Sequence, residues 1–406
     1  MIASASTNRP SRLAGIDIAR GVALLGMIAA HALLMTTDDG VTNPVYYIVG
    51  GRAAALFAVL AGVAIAFMTG RAPVRDRPDR RAAAATLLTR AGLLLLIGFA
   101  LGGWTDSDIA SVILAYYAVM FALAVPLVRL SARALTGTAA AVVVAMPVLS
   151  HLLRSVLPEG ISGNPSFADA VQHPAGLLEQ LTLTGTYPAL PWMAYLSVGI
   201  AVGRLRLDAV RTATRLLAGG VALAVVATGA SLLLLLPGGG MDAIGRVTPP
   251  ENLSDYASLW DYVYTDPSGT SPTTTWWWLT AVSPHSGTPF DLLVTIGSAL
   301  AVIGAAVLLG RTVLRSVLSP LAAAGSMTLT IYTASILFMN SPLDDFDPWP
   351  GYLVQVVVAL VLGHVWRRFV GRGPLESVVT AVTHRARDAA RGPAADRFTI
   401  HPMTRS

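Results

Sequence analysis

Ten apolar stretches, separated by loops whose charge alternates in sign, constrain this chain more than any other feature. The stretches fall at roughly 15–36, 46–70, 90–105, 109–129, 135–153, 187–204, 216–236, 290–310, 319–338 and 350–368. About 20 apolar residues are needed for a helix to cross the hydrocarbon core, and 406 residues allow ten spans with loops but no large soluble domain as well. Charged residues make up only 13% of the chain, about half the usual share in a soluble domain.

The loops set an orientation. Arg71, Arg75, Arg77, Arg80, Arg81 and Arg90 fill the segment after the second stretch. Arg129 and Arg133, then Arg204, Arg206, Arg211 and Arg215, then Arg311 and Arg315, follow the fourth, sixth and eighth. Arg367, Arg368, Arg372, Arg385 and Arg387 follow the tenth. The intervening loops are acidic, with Asp38, Asp39, Asp106, Asp108, Asp344, Asp345 and Asp347; Arg154 and Arg246 are the exceptions. Positive loops stay in the cytoplasm, and an error of one in the span count would scramble the pattern. The expected fold is therefore an all-α, polytopic plasma-membrane protein of about ten transmembrane helices with both termini cytoplasmic. Residues 1–370 form one transmembrane domain and 371–406 an Arg-rich cytoplasmic tail, helical and either lying on anionic lipid or mobile. The third stretch is short, so it is expected to extend backwards or tilt.

The net charge of +5 is explained by these loop arginines, and no nucleic-acid partner is expected. There is no cysteine, which excludes disulfides, thiolate metal sites and a cysteine nucleophile. No phosphate-binding glycine loop, zinc spacing or serine nucleophile elbow is present, and no metal is expected. The basic start followed by an apolar run has the outline of a signal peptide. Asp17 and Arg20 interrupt it, so it is expected to be a retained first span.

Polar groups inside a span are costly and are functional candidates by default. The first span reads RLAGIDIARGVALLGMIAAHALL. At 100° per residue Arg20 and His31 lie about 20° apart around the axis and roughly 16 Å apart along it, with Asp17 about 60° from Arg20. Asp17 and Arg20 then sit near the cytoplasmic end and His31 in the outer half. An i,i+3 anchoring pair and a helix-fixing hydrogen bond are the plain alternatives. A neutral imidazole is also the usual general base for a hydroxyl or amine attacking a carbonyl. Arg52 opens the second span level with His31, placed either to snorkel or to hold a phosphate, carboxylate or oxyanion. In SPHSGTPFDLL, Ser286 or Thr288 could cap the eighth span, while His285 and Asp291 could bind an acceptor or orient a base. Pro188, Pro191 and Trp192 are expected to start the sixth span with a kink. Two outward loops, about 153–186 and 237–289, are long enough to be functional or disordered. Trp276-Trp277-Trp278 suits an interfacial aromatic belt, with stacking on a sugar as the sharper use. Thr328, Tyr332 and Ser335 share one face of the ninth stretch, with Asn340 at its outer end.

Arg12, Gly15-Ile16-Asp17, Arg20-Gly21 and Met27, with His31 eleven residues after Arg20, resemble the opening of the heparan-α-glucosaminide N-acetyltransferase catalytic family of transmembrane acyltransferases. GRAAALFAVLAGVAIAF resembles its second span, and PWMAYLSVGIAVGR, PHSGTPFDLLVTIGSA and AAGSMTLTIYTASIL resemble further blocks of bacterial members, so the likeness runs over about 12–365. The resemblance implies an acyl group, acetyl above all, passed from cytoplasmic acyl-CoA to an envelope glycan or lipid on the other face. His31 falls where the animal enzyme has its active asparagine. Asp38 and Asp39 lie in the loop where that enzyme has a histidine, and Ser335 lies near where bacterial relatives carry one.

The expectations are specific. His31, Asp17, Arg52 and His285 are the catalytic candidates, and Arg20 with Asp17 bind acetyl-CoA. Asp38, Asp39, Asp291, Trp276, Trp277, Ser335 and Asn340 contact the acceptor. A homodimer is left open. The rival readings are a transporter or flippase for an anionic envelope precursor, marked by broken helices near mid-membrane, and a non-catalytic envelope scaffold.

Overall fold

The computed structural model describes residues 14–157, 160–267 and 269–391; Arg12 and the tail beyond 391 lie outside them. The regular elements among the described residues are helices, with one isolated bridge between Thr36 and Thr42. The first six main helices are α1 (Ala14–Ala32), α2 (Pro44–Val49), α3 (Arg52–Met68), α4 (Arg77–Gly102), α5 (Leu114–Leu127) and α6 (Ala132–Arg154). Then come α7 (Ala189–Gly203), α8 (Val210–Leu235), α9 (Pro289–Leu309), α10 (Ser319–Gly325), α11 (Thr328–Met339), α12 (Pro348–Phe369) and α13 (Pro374–Arg391).

All ten apolar stretches are helical, but they are not equivalent. Seven are long and apolar enough to cross a membrane, with α2 and α3 counted together, and the α10–α11 pair makes an eighth if its 83° bend lies within one span. The helices α5 and α7, at 14 and 15 residues, fall short of the usual span length.

Helix α1 is the axis of the bundle. Its most apolar window is 61% buried, against 17% for α8 and 22% for α12, so those two face outward. It packs on α3, α9, α10 and α12, and glycines make the approach close. A Cβ on Gly15 would stand 2.5 Å from the Val307 Cα of α9, while one on Gly21 would strike the Leu321 carbonyl and one on Gly325 the Asp17 carbonyl. Small residues at crossings are the usual way membrane helices gain dispersion contact. The same device joins α3 to α7, where Gly62 faces Leu196 and Gly199 faces Val59.

The third stretch extends backwards, as so short a run was expected to do. The apolar stretch expected at 90–105 is part of a 26-residue helix that begins at Arg77. Its polar first half is accompanied by α13, the described part of the tail: the two helices pack along one another, and Arg391 meets Asp79 at 3.2 Å. At the other end of α13 the Glu376 carboxylate accepts the Leu329 and Thr330 amides at 2.7 and 3.2 Å and the Thr330 hydroxyl at 2.6 Å. Those amides are otherwise open groups at a helix N-terminus, so the C-terminal helix caps the second half of the bent pair.

Gly199→Leu should therefore disrupt the α3–α7 crossing, at a cost of about 1–3 kcal/mol or more. Thermal unfolding followed by size-exclusion should show a lower Tm and a reduced monodisperse peak. An unchanged profile would remove the glycine contact from the account.

Candidate active site

One cavity of about 200 Å³ opens at the end of the bundle that carries His31. The last two turns of α1 supply Met27, Ala30 and His31. The α2–α3 corner supplies Tyr46, Val49, Gly51, Ala53 and Ala54, and the loop after α4 supplies Ser107, Asp108, Ile109 and Ser111. Thr186, Tyr187 and His285 complete the wall. The structure thus brings together two histidines that lie 254 positions apart in the chain.

His285 is held in an unusual backbone state. Its φ is +61°, a left-handed conformation that residues with a Cβ rarely adopt. The turn around it is pinned: the Ser283 hydroxyl donates to the Val263 carbonyl at 2.5 Å, Ser286 to Ser283 at 2.7 Å, and Thr288 to Ala281 at 2.6 Å. Gly51 makes room for it, because a Cβ there would lie 3.2–3.3 Å from Pro284 and the His285 nitrogen. Tyr187 meets the imidazole edge-on at 5.2 Å and Trp192 lies parallel to it at 6.2 Å. Its Nδ1 is buried without a hydrogen-bond partner. Burial, with neighbouring His31 second, lowers the His285 pKa to about 4. The ring is therefore neutral at physiological pH.

The other expected site residues separate from this pair. Asp17 is 2% exposed and meets Arg20 at 3.4 Å and Arg367 at 3.6 Å, about 21 Å along α1 from His31. Arg52 turns away from the cavity, donating to the Tyr47 carbonyl and lying beside Tyr264. Asp291 caps its own helix: its amide donates to Thr288 at 3.0 Å and its carboxylate accepts the Gly287 amide at 3.1 Å. Asp38 and Asp39 are exposed in a turn outside the cavity wall. Ser335 donates to Gln355 at 2.5 Å, and Asn340 accepts the Asp106 amide at 3.0 Å, so both tie helices and loops. Trp276 stacks on His151 at 4.3 Å and is 52% exposed, whereas Trp277 and Trp278 pack into a small core with Tyr262. Pro188 and Pro191 start α7, and Trp192 is buried behind His285.

Sequence reasoning did not single out Tyr46, Tyr187 or Ser111, and treated Asp108 only as loop charge. Nothing in their spacing marks them; the fold brings them to one wall. Among the described residues no group of three His, Asp or Glu side chains could hold a metal ion.

The long 237–288 segment builds its own small core around Ile244, Tyr262 and Trp278 and docks beside the cavity. The Asp261 carboxylate accepts the Thr42 amide and hydroxyl, both at 2.8 Å, and the Ser258 hydroxyl at 2.5 Å. Trp260 donates to the Tyr47 hydroxyl at 3.0 Å.

A family model described as heparan-alpha-glucosaminide N-acetyltransferase, catalytic, matches residues 12–235, more than half of the chain. The chain belongs to that family. Membership makes an acetyltransferase family domain of α1 to α8, and His31, Arg20, Asp17, Arg52, Asp38 and Asp39 all lie within the match. His285 and the sequence blocks at 284–299 and 323–337 lie beyond it. No curated protein matches the chain.

The docking contact has a pH signature. Burial raises the Asp261 pKa, but the hydrogen bonds from Ser258 and Thr42 outweigh it and hold the group below its ordinary 3.8. A depressed pKa gives stability that is complete above the unfolded value and lost as pH falls through the folded one. Protease protection of 237–288 should persist at about pH 5 and fade below about pH 4. Asp261→Ala should weaken it at neutral pH by about 1–3 kcal/mol. Equal protection of both proteins at neutral pH would count against this anchor.

Proposed function

We propose that the protein is a membrane-bound acetyltransferase that takes an acetyl group from acetyl-CoA at its arginine-rich, cytoplasmic face and delivers it to a hydroxyl or amine at the His31 end, on the outer face. The observation that carries this reading is one cavity holding two histidines, His31 and His285, in a chain of the N-acetyltransferase family. A ten-span arrangement with both termini cytoplasmic follows from the loop arginines and is part of the proposal.

In this reading arginines at the cytoplasmic end hold the CoA phosphates, with Arg20 beside the path and Asp17 orienting it. His31 is the general base. The acceptor oxygen or nitrogen attacks the thioester carbonyl carbon while His31 takes its proton. The tetrahedral adduct collapses, the C–S bond breaks, and the departing thiolate of CoA recovers that proton from the imidazolium. His285 acts beside it to position the acceptor. Arg52 is committed to Tyr47 and Tyr264, so the oxyanion is better served by backbone amides at the start of α3, where Ala53 and Ala54 line the cavity. Preorganised donors of this kind are commonly the largest electrostatic contribution to acyl transfer.

The bent α10–α11 pair is the one observation that favours a transporter, since broken helices mark many transporter sites. Here the break is filled. Gly325 lies against the α1 backbone, and Glu376 occupies the amides that an anion would use. Flux of substrate without acetyl-CoA would nonetheless restore that reading.

Two measurements test the proposal. Purified protein should bind radiolabelled acetyl-CoA saturably, and Arg20→Ala should weaken binding by about tenfold or more, as expected for a charge-assisted contact. His31→Ala should retain that binding and lower transfer by about 10²–10⁴-fold. Because His285 stays neutral down to about pH 4, its protonation should not limit transfer near the ordinary imidazole value of about 6.5. Full activity in His31→Ala would remove the assignment of the base.

A further inference from the structure

The mouth of the cavity differs in character from its floor. Three of its lining side chains are large, apolar and turned outward: Leu34 is 58% exposed, Met35 48% and Ile109 41%. Leu34 and Met35 follow the last turn of α1, and Ile109 belongs to the loop after α4. That same loop carries Trp104, 70% exposed, a residue type that settles at the headgroup level of a bilayer. Ile48, on α2 beside the lining residue Val49, is 71% exposed. Exposed apolar residues grouped around a binding cavity mark a surface that meets a partner or a membrane. Farther in, four polar side chains, His31, Ser111, Tyr187 and His285, stand among the buried apolar residues Met27, Leu33, Ala53 and Ala54. Ser107 and Asp108 stand at the lip beside Ile109.

We infer that the acceptor is a membrane-resident amphiphile with an uncharged or cationic head group, entering sideways from the bilayer between Leu34–Met35 and Ile109. This rests on the acetyltransferase reading for the chemistry, though its test does not. A cavity of about 200 Å³ admits a head group but not a long chain, so the chain lies along the lip and stays in lipid. A free glycan would leave Leu34, Met35 and Ile109 exposed, whereas an aliphatic chain lying along the lip would cover them. Charge selects the head. The lining residues include the Asp108 carboxylate and no arginine, which disfavours a phosphate and suits a neutral or amino sugar.

The test uses full-length protein in lipid nanodiscs without acetyl-CoA. The probe is a hexadecyl glucosaminide with a photoreactive group on the chain, and labelled peptides are mapped by mass spectrometry. Labelling should concentrate in 30–35 and 107–111. Unlabelled hexadecyl glucosaminide should suppress it, whereas methyl glucosaminide or hexadecyl phosphate at equal concentration should not. The double variant Leu34→Ser, Ile109→Ser changes exposed positions and should lose about tenfold of this labelling, with an unchanged Tm. Labelling spread over the outward faces of α8 and α12 would overturn the inference. So would equal competition by methyl glucosaminide, which would make the acceptor a soluble sugar, or by hexadecyl phosphate. If labelling maps as expected but no acetyl is transferred when acetyl-CoA is added, the acetyltransferase reading fails and lateral access stands. If transfer occurs without labelling at the lip, the reverse holds.

Discussion

Everything in this bundle depends on α1 being both central and polar at each end. A helix carrying Asp17 and Arg20 near one end and His31 at the other cannot face lipid without a large desolvation cost. It is buried instead, and glycine at its crossings makes that burial close. Gly15 admits α9, and Gly21 together with Gly325 admits α10. Asp17 is then shielded but accompanied, with Arg20 and Arg367 within 4 Å. His31 is carried to the cavity floor at a fixed height above that cluster, because a helix of 19 residues leaves no freedom in the spacing.

Around this axis the protein separates two kinds of chemistry. At one end lie guanidinium groups, the bent α10–α11 pair and the C-terminal helix that caps it through Glu376. At the other lie neutral imidazole, tyrosines and a carboxylate around a cavity. The proposed reaction needs this division: a polyanionic donor suits the first end, and deprotonation of a weak nucleophile suits the second. The left-handed backbone at His285, maintained by hydrogen bonds from Ser283, Ser286 and Thr288, is the kind of strain that persists only where surrounding structure enforces it.

Much of the fold was legible because membrane helices announce themselves by composition. All ten stretches are helical, and the face shared by Arg20 and His31 followed from a rotation of 100° per residue. What could not be read was lateral. That α5 and α7 are short, that the ninth stretch bends at Gly325, and that α13 docks on α4 all depend on neighbours distant in sequence. The site divides the same way. His31 was marked by its isolation in an apolar run and His285 by its Ser-Pro-His-Ser-Gly turn, whereas Tyr187 and Asp108 join them only through folding. Arg52, Asp291, Ser335 and Asn340 have the right chemical types for a site, but structural partners use them: Tyr47 and Gly287 nearby in the chain, Gln355 and Asp106 from other elements. A polar residue near a helix end is as easily a cap as a ligand, and spacing alone does not separate the two.

The central claim is that acetyl passes along this axis from one face to the other. The most direct measurement is sided transfer in proteoliposomes of uniform orientation, with radiolabelled acetyl-CoA on one side and an acceptor confined to the other. The account expects label on the acceptor only when acetyl-CoA is supplied at the arginine-rich face. Transfer only when donor and acceptor share a side would contradict it.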